Sequence, residues 1–145
     1  MKWKERIADG EGVLCAEYTA EMCDSEAQID GLFRFSDDPG GFGFIRSQFG
    51  CPEIWPIAVL HDIAVPPDLR FRGHGTKALE RFVLAARERR ARLGFLRVGW
   101  NGWVSERGLR EREWRIAWYQ RNGWHLLRNA ADHLVVPFMY RIIDP

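Results

Sequence analysis

The residues of this 145-residue chain best suited to chemistry lie in one stretch, Val65-Pro66-Pro67-Asp68-Leu69-Arg70-Phe71-Arg72-Gly73-His74-Gly75-Thr76. It connects an apolar run to the start of an amphipathic helix. Successive backbone N–H groups at a helix start lack intrahelical acceptors, and the helix dipole adds positive potential there. Glycines at 73 and 75 let a ligand approach the backbone closely. That combination suits a phosphate or pyrophosphate. A Walker loop is excluded, because GxxxxGK[ST] needs a lysine that is absent at that spacing. A dinucleotide fingerprint would have Ala78 as its third small residue, but the acidic residue about 20 positions on is missing. On the glycines alone, a tight strand-to-helix turn explains the stretch equally well.

Patterning predicts the elements that hold this loop. Residues 54–65, IWPIAVLHDIAV, read as a strand buried on both faces, ended by Pro66-Pro67. Residues 74–92 read as a helix, with Leu79, Phe82, Val83 and Ala86 on one face, Arg81, Arg87, Arg89 and Arg92 on much of the rest, and Gly94 as its C-terminal cap. A strand at 95–100, a polar loop at 101–110, a helix at 111–121 stopped by Asn122-Gly123, and strands at 124–128 and 135–143 follow. Upstream, residues 12–22 and 27–36 read as two strands joined by the turn Cys23-Asp24-Ser25-Glu26. A helix over 24–33 is the alternative, against which Gly31 counts. Residues 37–53 are a loop with room for a short strand at 42–46. The β–α–β–α–β order after residue 54 predicts an α/β sandwich with a central mixed sheet.

The spacing V-x-P-x-x-R-x-x-G-x-G, carried by Val65, Pro67, Arg70, Gly73 and Gly75, closely resembles the acetyl-CoA-binding motif of the GNAT N-acetyltransferase superfamily. Trp118-Tyr119-Gln120-Arg121-Asn122-Gly123-Trp124 looks like that family's LYEKLGF segment, and Phe138–Ile143 looks like its closing strand. The resemblance covers residues 54–145 and implies a GNAT-like α+β sandwich. Its central sheet would be mixed and largely antiparallel, with a splayed strand pair and flanking helices. It implies one domain, with 54–128 as the acetyl-CoA-binding core and 1–53 as acceptor-side strands and loop. Backbone N–H groups of Phe71, Arg72, Gly73, His74, Gly75 and Thr76 would hold the CoA pyrophosphate, with Arg70 a further cofactor-binding residue. Backbone groups of Ile63, Ala64 and Val65 would pair with the pantetheine arm like an extra strand. Tyr119 would act as the acid at the departing sulfur.

His61 is the candidate base. Its reference pKa of ~6.5 suits the role, and Leu60–Val65 is similar to the strand of arylalkylamine acetyltransferases that carries a catalytic histidine. Period-two alternation places His61, Ile63 and Val65 on one face and Asp62, the reserve candidate, on the other. A histidine on a central strand also serves as ordinary core. His74 reads as a loop residue facing solvent. Three departures from the family stand out. The usual pair of N-terminal helices is not evident, and the segment with Phe42, Phe44 and Phe49 would substitute as a lid. Arg112 and Arg115 stand where the family has Asn and Ala. A longer loop after residue 100 would bring Trp103 and Glu106 near the acyl group.

Charge narrows the partner. The chain carries 21 Lys+Arg and 20 Asp+Glu, but residues 1–69 hold 5 basic and 13 acidic side chains while residues 70–128 hold 15 and 5. The basic part fits an anionic donor; the acidic part favours a cationic small-molecule or peptide amine. The competing class is a nucleic-acid or tRNA-binding module, or a CoA-binding regulator without catalysis. Arginines on one helix more often form a solvated face, which disfavours nucleic acid. Three cysteines without CxxC spacing argue against a disulfide framework and a metal site, and fit a cytoplasmic protein. No apolar run approaches the ~20 residues of a membrane span. Seven tryptophans are many for this length; they fit core packing, or some of them line a pocket. Apolar surface left by the missing helices would favour a homodimer.

Overall fold

The computed structural model describes residues 1–33, 54–98, 106–127 and 138–143. The expected strand at 42–46, the phenylalanine lid, Trp103 and Cys51 lie outside these. The elements are β1 (Lys2–Ala8), β2 (Leu14–Cys23), α1 (Glu26–Phe33), β3 (Ile57–Ala64), a 3-10 turn (Pro67–Leu69), α2 (His74–Glu88), β4 (Leu93–Arg97), α3 (Glu106–Arg121), β5 (His125–Leu127) and β6 (Phe138–Ile142). The strands form one mixed sheet in the order β1-β2-β3-β4-β6-β5. Among the described residues β3 and β4 run parallel, and the other neighbouring pairs are antiparallel. The α+β sandwich expected from the sequence is therefore present.

Alternation along β3 feeds two cores. Ala58 and Leu60 pack with Tyr18, Leu79 and Phe82, and with Ile116 and Trp124 from α3 and its end. Ile57 and Val59 pack with Leu93, Phe95, Phe138 and Ile29 of α1. The continuous apolar run is thus a strand covered on both faces. β1 joins the sheet through residues a simple apolar pattern does not flag. Trp3 stacks on Phe82 with ring centroids 6.2 Å apart, and its indole N–H donates to the Tyr18 hydroxyl at 3.1 Å. Tyr18 donates in turn to Glu5 at 2.7 Å, and Arg81 of α2 also binds Glu5.

Four local expectations are corrected. Residues 26–33 are a helix, not a strand. Ser25 caps it, accepting from the Gln28 N–H at 3.3 Å, while the Gln28 side chain accepts from the Asp24 N–H at 2.7 Å. This Ser-x-x-Gln pair is a capping-box variant, its return bond falling on the residue before the cap; such an N-cap is worth about 1 kcal/mol, enough to offset Gly31. Ile29 and Leu32, three apart, supply the buried face. Next, α2 ends at Glu88, and Arg90 rather than Gly94 adopts the left-handed conformation, φ 61°. The Ala91 N–H bonds to the Ala86 carbonyl and the Arg90 N–H to that of Arg87, the paired closure of a Schellman end. Gly94 instead lies in β4, where an added Cβ would sit 3.0 Å from Trp124 and 3.3 Å from Ile143. Finally, α3 starts at Glu106, five residues early, and Glu106 ion-pairs with Arg110 at 3.3 Å as an exposed first-turn acid.

Candidate functional site

The loop between β3 and α2 has the conformation its glycines suggest. Gly73 is the N-cap of α2 at φ 83°, a left-handed geometry that favours glycine, and no side chain caps that helix. The Lys77 N–H closes the first turn on the Gly73 carbonyl at 3.1 Å. The N–H groups of His74, Gly75 and Thr76 precede that bond and have no intrahelical acceptor. Arg70 folds back, its Nε donating to the Val65 carbonyl at 3.4 Å. His74 is not a solvent-facing loop residue. It opens α2, is partly buried and lines the cleft beside the loop.

The sheet divides just before this loop. Pairing of β3 with β4 runs from Ile57–Leu93 to Leu60–Leu96 and stops, while β3 stays paired with β2 as far as Ala64–Glu17. Beyond Leu60, β3 therefore presents an edge that β4 does not cover. The β2–β3 register also slips there. Ala20 faces Leu60 and Thr19 faces Asp62, leaving His61 as an extra residue in a bulge. The bulge corrects the face assignment. Ile63 packs with the Tyr18 core, on the side of Leu60. His61 turns to the opposite side, where its Nε2 lies 3.1 Å from Glu21, the partner of Val59. His61, Ile63 and Val65 do not share a face. A carboxylate only accepts, so this contact requires a proton on Nε2; in the neutral imidazole the accepting nitrogen is then Nδ1.

Two cavities meet at this splay. The larger, about 1100 Å³, runs along Ile63, Ala64 and Val65, past Arg70, Phe71, Gly73, His74, Gly75 and Thr76, and against Trp114, Trp118 and Arg121 of α3. Arg72 is exposed and is not among the lining residues. The smaller, about 240 Å³, is bounded by Leu32, Leu60, His61, Leu96 and Arg97. Asp62, Ile63, Arg115 and Tyr119 line both. Burial pushes the Tyr119 hydroxyl up to about 12. The Arg115 guanidinium pulls it back and the Asp62 carboxylate adds to the rise. Arg115 is oriented by Glu111 one turn earlier, at 2.6 Å.

The fold thus brings Tyr119, His61, the Ile63–Val65 edge and the Gly73–Thr76 turn to one place. Three contributors were not assigned a role from sequence. Glu21 is about forty residues from His61, and nothing local couples them. Arg115 carries a usable signal, since a position four before Tyr119 lies on the same helix face. Trp118 faces the loop, 3.4 Å from where a Cβ on Gly75 would be. Among the described residues no group of His, Cys, Asp and Glu is arranged to hold a metal ion, and no helix is long and apolar enough to cross a membrane.

The architecture is that of the GNAT acetyltransferases. Nourseothricin acetyltransferase superposes with TM-score 0.56 at 18% identity over 99% of this chain and 66% of its own. Arylalkylamine N-acetyltransferase 2 from Aedes aegypti gives 0.61 at 11% identity over 97% of this chain and 73% of its own. Naa20 from Chaetomium thermophilum, solved with a bisubstrate analogue, gives 0.55 at 17% over 95% and 64%. The chain thus spans about two thirds to three quarters of each of these proteins. No protein-family model and no curated protein matches its sequence.

Proposed function

We propose that the chain is an acetyl-CoA-dependent N-acetyltransferase acting by direct attack of a primary amine on the thioester. The observation that carries this reading is the pair of cavities joined at the β3–β4 splay. The larger has the dimensions and polar backbone for a long anionic donor, the smaller admits an acceptor, and Tyr119 borders both. The pyrophosphate rests on the Gly73–Thr76 N–H groups, and the pantetheine arm adds to the free edge at Ile63–Val65. The amine enters past His61 and Asp62 and attacks the carbonyl carbon. His61 Nδ1 takes the amine proton, and backbone N–H groups near Val65 stabilise the oxyanion. The C–S bond then breaks as the C–N bond is completed. With its pKa near 12, Tyr119 is a weaker acid than a thiol of about 8.5. It therefore serves the departing sulfur mainly as a hydrogen-bond donor, with Arg115 balancing the charge.

Residues 54–128 are read as the donor core and 1–53 as the acceptor side, to which α1 contributes Leu32. The acceptor is a small-molecule or peptide amine, and a cytoplasmic setting supplies the donor. The nucleic-acid reading is weaker, because several arginines of the basic part have intramolecular partners. Arg81 is held by Glu5, Arg89 lies 4.2 Å over the Trp3 ring, and Arg115 pairs with Glu111. Acetyl-CoA at a hundredfold excess over Kd should raise the melting temperature by roughly 5 °C or more, and a primary amine should then release free thiol. A protein neither stabilised by acetyl-CoA nor releasing thiol from it overturns the reading.

A further inference from the structure

We propose that Phe71 and Trp114 form a stacking seat for the purine ring of the donor, a subsite that rests on the acetyl-CoA reading above. Phe71 is one of two non-glycine residues with positive φ among the described residues, at 65°. A bulky aromatic there is strained, and such strain persists where the surroundings or a ligand make use of it. The conformation throws the ring outward, leaving Phe71 90% exposed. Trp114 is 51% exposed, and its ring meets that of Phe71 nearly edge to face, with centroids 6.0 Å apart and planes at 70°. The contact therefore covers little of the Phe71 ring and does not account for its position, while Trp114 keeps half of its surface open. The two planes form an open corner, one face for stacking and one edge for lateral contact.

The corner lies where the far end of the donor must emerge. Both rings line the larger cavity. Along α3, Tyr119 marks the thioester end and Trp118 faces Gly75 at the phosphate turn. Trp114 is five residues before Tyr119, about 7.5 Å nearer the helix start. A ligand with its sulfur at Tyr119 and its pyrophosphate on the Gly73–Thr76 N–H groups reaches Phe71 and Trp114 next. Arg70 and Arg121 line the same cleft and suit the phosphates between.

The test compares acetyl-CoA with S-acetyl-4′-phosphopantetheine, which keeps the reacting arm and lacks the adenine nucleotide. Kd and KM for both are measured on wild type, Phe71→Gly and Trp114→Leu. Glycine suits a positive φ, so Phe71→Gly should keep its melting temperature without ligand. Each variant should lose about tenfold more affinity for acetyl-CoA than for the truncated donor, as removal of one stacking ring predicts. Equal losses for the two donors, or unchanged affinity for acetyl-CoA, overturn the seat while leaving the donor assignment intact. Wild type that binds neither donor overturns both.

Discussion

Tyr119 is held protonated at neutral and moderately alkaline pH, because burial makes its phenolate costly. Tyr119→Phe keeps the ring and removes the hydroxyl. Turnover should fall by about 10²–10³-fold, as loss of one hydrogen-bond donor to developing charge predicts, while acetyl-CoA binding, followed by thermal shift, is retained. Deprotonation should remove the wild-type contribution only as pH approaches 12, so the rate of the Phe variant should show no matching alkaline step. The sign for stability is the same. A folded-state pKa raised above the ordinary 10 contributes fully below pH 10, and that contribution is lost as pH rises toward 12. Unchanged turnover in Tyr119→Phe would show that the hydroxyl has no part in the reaction. The sequence pointed to Tyr119 and His61 as side chains, through motif and strand position. Their surroundings, Arg115 and Asp62 for one and Glu21 for the other, come from elements distant in sequence.

Two neighbouring positions show how element ends depend on context. Arg90 occupies the left-handed site that closes α2, at φ 61°. Arg90→Gly should stabilise the fold by about 0.5–1 kcal/mol, because the conformation favours glycine. Gly94→Ala should destabilise it by about 1–3 kcal/mol, since the new methyl meets Trp124 and Ile143 in a packed layer. Urea unfolding of the two variants measures both, and equal signs would refute the assignment of roles. Glycine is the usual helix terminator, so in sequence Gly94 is the expected cap; only in the folded chain does Trp124, thirty residues on, lie against that backbone. The strand expected at 27–36 failed for a related reason. Its apolar spacing fits both periods, and the Ser25–Gln28 cap decides between them.

Part of the charge split is compensated inside the fold. Glu5 binds Arg81 of α2 across the split, and Glu17 binds Lys4 and Arg6 within the N-terminal part. Among the described residues, the acidic side chains beside the smaller cavity are Asp62, on its wall, and Glu21, against His61. Preference for a cationic acceptor should therefore rest on Asp62 rather than on the hairpin as a whole. Asp62→Asn should lower kcat/KM for diamines about three- to fivefold relative to monoamines, and Glu17→Gln should not alter that ratio. Steady-state assays over an amine panel decide, and equal loss for both amine classes in Asp62→Asn would remove its role in selection. By itself the sequence determined the local features: the Gly73–Gly75 turn after an apolar strand, the amphipathic α2, and the tyrosine before a Gly-Trp stop. Each is fixed by contacts within a few residues. Only the tertiary structure decided the rest. Where β3 leaves β4, and that His61 bulges toward Glu21 while Ile63 turns to the core, depend on pairing between segments about forty residues apart. One extra residue in that pairing reverses every side chain beyond it.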